Sequence, residues 1–171
     1  DVEGNLIVTC PSEQGEESFR KEYLRRYPES TENLSDQSHC IINDVKTHYF
    51  PKGDVFSVWD MEDALEEAND AIQKNGKRYV RAATEMAWAL DEFSGSEELM
   101  AYESRLKYFF EDKPWTCICL YNISKFSGSM VMNVLRTHPY SISKGVLTDN
   151  PYYQDPDIWL KNNAPHLLNR L

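Results

Sequence analysis

Short β-branched apolar runs alternate along the chain with longer stretches whose apolar residues recur at helical spacing, a pattern that predicts an α/β fold. Leu6-Ile7-Val8-Thr9-Cys10, closed by Pro11, predicts a buried parallel strand. Phe19, Tyr23, Leu24 and Tyr27 share one face of a helix over 16–27, and Pro28 ends it because the residue before proline avoids helical backbone. Residues 28–38 are polar and predict a loop, and His39-Cys40-Ile41-Ile42 predicts a second short strand. Met61, Ala64, Leu65, Ala68, Ala71 and Ile72 form one apolar helical face, with Asn75-Gly76 as its stop. A strand over 77–86 and a helix carrying Leu99, Tyr102, Leu106, Phe109 and Phe110 follow, the helix opening at Ser96. The run Trp115 to Tyr121 is apolar on both faces, which predicts a central strand covered on each side by helices. Met130, Val131, Val134 and Leu135 predict a helix ended by His138-Pro139, and residues 140–148 predict a hairpin turning at Lys144-Gly145. The expected architecture is a three-layer α/β domain. It has a mostly parallel central sheet, helices on both faces and a C-terminal β-hairpin at one edge.

Composition narrows the functions such a domain can serve. The 171 residues suit one domain over 1–171, and 28 acidic against 18 basic side chains give a net charge of −10. That field repels phosphate backbones, so direct nucleic-acid binding is not expected. No apolar stretch approaches the roughly 20 residues of a membrane helix, and with no leader or lipidation signal the expected location is cytoplasmic. The chain starts at Asp1 instead of Met, which suggests a processed or excised segment. The four cysteines read as reduced core thiols. Cys117 and Cys119 share a strand face, but no pair of histidines has ligand spacing, so neither a metal nor a cofactor is expected.

Ligands of open parallel sheets bind outside the carboxyl ends of the strands. The residues expected there are Glu85 and Trp88 after one strand, Tyr121 and Asn122 after another, Arg136 and His138 at the end of the following helix, and Tyr152 in the turn Asn150-Pro151-Tyr152-Tyr153. Each has a structural alternative. Glu85 suits a helix cap or a pair with Arg81 or Arg105, Trp88 suits the core, and cations at 136 and 138 suit a helix C-terminus. A pocket of this kind needs the junctions around 85 and 121 to open into an apolar hollow. No phosphate-binding loop, dinucleotide fingerprint, nucleophile elbow or His-Glu-x-x-His motif occurs, so hydrolase and dehydrogenase chemistry lose their usual support.

The ordered series Glu85-Met86-Ala87-Trp88-Ala89-Leu90, Glu97-Glu98-Leu99 with Tyr102-Glu103-Ser104-Arg105-Leu106, Cys119-Leu120-Tyr121-Asn122, Val134-Leu135-Arg136-Thr137-His138-Pro139 and Asn150-Pro151-Tyr152-Tyr153 resembles the MEDS domain, the methanogen/methylotroph sensory domain. The resemblance covers residues 77–160, while residues 1–75 fit by element order. It implies a non-catalytic sensing module with a RecA/KaiC-like fold that lacks the phosphate loop. Its ligand would be a small molecule, hydrocarbon-derived or one-carbon. The implied partners are a histidine kinase or a DNA-binding output domain, as in transcriptional regulators, with a homodimer as a further expectation. Family members open with a further strand and helix, so the N-terminus here is expected to be trimmed or divergent. The competing expectations are a degenerate nucleotide-binding, ATPase-like domain with Glu85 as a base, and a docking module with no small ligand.

Overall fold

The computed structural model describes residues 4–10, 15–28, 40–74, 79–91 and 95–169. Most of the loop expected over 28–38 and the Asn75-Gly76 stop lie outside them.

The chain runs β1 (Gly4–Cys10), α1 (Gly15–Arg26), β2 (Cys40–Asp44), α2 (Val45–Tyr49), α3 (Val58–Gln73), β3 (Tyr79–Glu85), α4 (Leu99–Glu111), β4 (Trp115–Leu120), α5 (Gly128–Thr137), β5 (Tyr140–Ser143), β6 (Val146–Asp149) and α6 (Pro156–Asn163). Four strands form one parallel sheet in the order β2-β1-β3-β4, with Ile7 opposite both Ile41 and Ala82, and Ala82 opposite Cys117. The chain steps one way from β1 to β2, then reverses past β1 to reach β3. Right-handed crossovers therefore put α1 on one face and α3 on the other, and the onward step to β4 keeps α4 beside α3. Val8 is buried on the face opposite Ile7, and α1 packs against β1 and β2.

The core lies between the sheet and the α3–α4 layer. Ile7, Val80, Trp115, Met61, Leu65, Tyr102 and Phe109 belong to one buried cluster, built by the period of two in the strands and the apolar stripes of the helices. Several helices carry caps that their sequences supply. Ser127 Oγ accepts from Met130 N at 3.2 Å at the start of α5, and Asp155, with Pro156 in the first turn, accepts from Asp157 N at 3.0 Å at the start of α6. Gly95 has φ +85° and abuts the Phe56 carbonyl, so this backbone approach needs glycine. Glu98 serves a different helix from the one it precedes: Val58 N, at the start of α3, donates to its carboxylate at 3.0 Å.

One feature differs from expectation. Among the described residues β4 is an edge strand, and its outer face is open, with Ile118 42% and Leu120 50% exposed. Its all-apolar sequence looks central because Ile118 and Leu120 are apolar without being covered. The C-terminal hairpin β5–β6 is present as expected, turning at Lys144 (φ +51°) and Gly145 (φ +79°) and forming a two-stranded sheet of its own. Its root is held beside α5, where Asn150 Nδ2 donates to Leu135 O at 2.5 Å and His138 O at 2.7 Å, and Asn150 N donates to Pro139 O at 2.9 Å.

Candidate functional site

The reversal between β1 and β3 is the topological switch point where α/β sheets place ligands. Just inside it, between the sheet and α2–α4, lies a cavity of about 200 Å³. Ile7, Met61, Leu65, Ala68, Leu106 and Phe110 supply apolar wall, and Thr84, Tyr102, Glu103 and Cys119 supply polar wall.

The strand-end mouth is filled with aromatic rings. Trp88 lies 4.1 Å from the Tyr49 ring at 33°, and Phe56 and Tyr102 meet edge to face at 5.8 Å. Tyr49 donates to Thr84 Oγ1 at 3.3 Å, and burial pushes its phenol well above the ordinary value. His48, also on the cavity wall, is pushed down to about 4 by burial.

The polar wall is built from elements far apart in sequence. Glu103 on α4 is almost fully buried, with 1% of its side chain exposed, and its Oε2 lies 3.3 Å from His138 Nε2 at the end of α5. The Cys119 thiol donates to the same oxygen at 3.8 Å. Glu103 Oε1 and the Tyr121 hydroxyl are buried without a hydrogen-bond partner among the described residues. Burial opposes a charge on His138, but its hydrogen bond to Glu103 and that residue's charge outweigh this and hold the ring above its ordinary pKa. A hydrogen bond with Cys117, burial and the Glu103 charge all push the Cys119 thiol up; burial and the Glu103 charge do the same to Tyr121.

Of the residues expected at the site, Tyr121 and His138 come together, their rings 6.1 Å apart edge to face, and both back onto Glu103. Glu85 Oε1 accepts from Ala87 N at 3.0 Å, where the short turn Ala87–Leu90 begins, while its Oε2 is buried without a partner among the described residues. Trp88 is buried in the aromatic group. The hollow therefore lies one layer inward from the junctions around 85 and 121. Asn122 Oδ1 accepts from Ser124 N and Oγ in the turn before α5, Arg136 donates to Asn133 Oδ1 at 3.3 Å on the surface, and Tyr152 is 55% exposed beside the hairpin root. Glu103, Cys119, His48 and Tyr49 were not foreseen as site residues. The one available signal was an acid, Glu103, flanked by Tyr102 and Leu106 on the apolar side of a helix.

A family model described as MEDS, the methanogen/methylotroph, DcmR sensory domain, matches residues 3–139. The chain belongs to the MEDS family. The match takes in β1 through α5, so the N-terminal half of this MEDS domain, which resembles the family by element order, lies within it. The polar wall, Thr84, Tyr102, Glu103 and Cys119, lies within it too, as do Tyr121 and His138 behind that wall. No curated protein and no solved structure gives a significant match to the chain. As a member of a sensory family it has a sensing role, and no helix among the described residues is long and apolar enough to cross a membrane.

Proposed function

We propose that this MEDS domain is a cytoplasmic chemical sensor that takes up a small, mostly apolar molecule, hydrocarbon-derived or one-carbon, between the sheet and α3–α4. The observation that carries the reading is an apolar cavity into whose wall one buried carboxylate, Glu103, brings an unpartnered oxygen. Binding pockets have this composition: mostly apolar walls and a few polar groups that fix orientation. An engineered apolar cavity of about 150 Å³ admits benzene, so a hollow of about 200 Å³ suits a molecule of that order.

In this reading Glu103 orients the ligand, Tyr121 and His138 support it from behind, and Glu85 and Trp88 close the strand-end mouth. Asn122, Arg136 and Tyr152 lie around α5 and the hairpin root, where a displaced α5 would be read by an attached histidine kinase, a DNA-binding domain or a second copy. No chemical step is involved. A RecA/KaiC-like scaffold that has lost its phosphate loop fits this, because such a sheet keeps its switch point without the groups that neutralise phosphoryl charge.

Native mass spectrometry of the protein taken from its own host tests the reading, the expected result being a co-purified molecule of benzene-like size. Ala68→Leu, which grows a side chain into the cavity, should remove that mass while thermal unfolding stays cooperative. Protein that carries no such molecule and shows no thermal shift with small halogenated or one-carbon compounds would refute it.

A further inference from the structure

Three donors of different chemistry converge at the polar wall: the Cys119 thiol, the His138 imidazole and the Glu103 carboxylate. Their ligating atoms all lie within 4.8 Å of one another. Tetrahedral bonds of 2.0–2.3 Å to N, O and S place ligand atoms about 3.3–3.6 Å apart. The observed separations are 3.3 Å for His138 Nε2 to Glu103 Oε2 and 3.8 Å for Cys119 Sγ to the same oxygen. These two separations lie within a few tenths of an ångström of that spacing, and the third, Cys119 to His138, is at most 4.8 Å, so a cation would draw the thiol and the imidazole together by up to about 1.3 Å.

The histidine is held in the orientation such a site requires. Its Nδ1 lies 2.8 Å from the carbonyl of Val134, and a carbonyl can only accept, so Nδ1 carries the proton. In the neutral ring, Nε2 then presents a lone pair toward the carboxylate oxygen. Either a proton or a cation can bridge these two atoms 3.3 Å apart. A backbone carbonyl fixing the far nitrogen is the usual outer support of a metal-bound histidine. Glu103 Oε1, buried and unpartnered, adds a second donor atom at the same point.

We propose that Glu103, Cys119 and His138 form a divalent-cation site of the Zn²⁺ type in the cavity wall, with three protein donors and a coordination position left toward the cavity. The mixed S, N, O set suits Zn²⁺, whereas Mg²⁺ and Ca²⁺ take oxygen shells. On binding, the Cys119 proton leaves to solvent and the thiolate takes up the metal charge. The site needs no cavity ligand, so it stands or falls separately from the reading above.

The test is titration of the metal-stripped, reduced protein with Co²⁺ and Zn²⁺ under competition with a chelator. The expected results are one Co²⁺ per chain with a thiolate-to-cobalt charge-transfer band and tetrahedral d–d bands, displacement by Zn²⁺, and a higher Tm with Zn²⁺ present. Cys119→Ser should abolish the charge-transfer band, and His138→Gln should weaken Zn²⁺ binding by about 100-fold or more; circular dichroism reports whether each variant is folded. If a variant does not fold, mass-spectrometric labelling of the wild-type thiols decides, because Zn²⁺ should protect Cys119. No thiolate band, a band unchanged in folded Cys119→Ser, or Cys119 labelled equally fast with and without Zn²⁺ would overturn the proposal.

Discussion

Arg105 holds three parts of the molecule together, and its replacement by methionine is a sharp test of how the cavity's helical wall is secured. The Arg105 side chain is 10% exposed. Its Nε and Nη2 donate to the two oxygens of Glu62 on α3 at 2.5 and 3.2 Å, and Nη1 donates to the carbonyls of Leu167 and Leu168 at 2.8 and 3.0 Å. The Trp59 ring lies 4.6 Å away on the π face. Removing one partner of a buried ion pair costs about 3–5 kcal/mol. Glu62 retains 22% side-chain exposure and can recover some hydration, so Arg105→Met should cost about 2–4 kcal/mol. At roughly 2–4 °C per kcal/mol for a domain of this size, Tm should fall by about 6–12 °C for a loss near the middle of that range. Arg105→Lys keeps the charge beside Glu62 but not the planar fork, and should lose about half as much. Urea unfolding followed by circular dichroism measures each loss, and the double variant Arg105→Met/Glu62→Leu completes a cycle. Removing both charges should cost at least about 1 kcal/mol less than the two single losses added together. A folded Arg105→Met within about 0.5 kcal/mol of the parent, or strict additivity, would refute the reasoning.

Two further outcomes follow from the same geometry. His48, pushed down to about 4 in the folded chain, binds fewer protons than in the unfolded chain between pH 4 and 6.5, so its share of stability is present above pH 6.5 and is lost as pH falls. The loss reaches about 2–3 kcal/mol at pH 4.5; it should be missing from His48→Gln in paired denaturant curves, and an NMR titration midpoint near 6.5 would contradict it. Gly95→Ala puts a Cβ 2.1 Å from the Phe56 carbonyl oxygen at φ +85°, and should cost about 2–4 kcal/mol in the same assay, so a neutral result would mean this turn is not held as described.

The sequence announced elements wherever a local rule was long enough to show. The stripe from Met61 to Ile72 gave α3, and the Lys144-Gly145 turn gave the hairpin. α2, at five residues, is too short for periodicity to reveal. α6 had its signal in Asp155-Pro156, a cap followed by a first-turn proline, and buries Trp159 and Leu160, yet lacks a long apolar stripe. The candidate site was less legible because its polar wall is made by contacts distant in sequence. Glu103 meets His138 because the end of α5 lies over it, and Cys119 meets it because β4 runs alongside. Periodicity assigns faces within an element; it does not say which ends of two elements meet.

The hairpin root gives the polar wall mechanical reach. Asn150 clamps the last carbonyls of α5 and His138 itself, so both strands of the hairpin leave from the residue pair next to that imidazole. Four residues of strand extend about 13 Å, and a tilt of roughly 10° at such a fulcrum sweeps the far end through about 2 Å. Ile142, Val146 and Leu147 ride uncovered on that arm. Any tilt imparted to this root is thereby magnified at an apolar tip, as a short crank turns a long pointer.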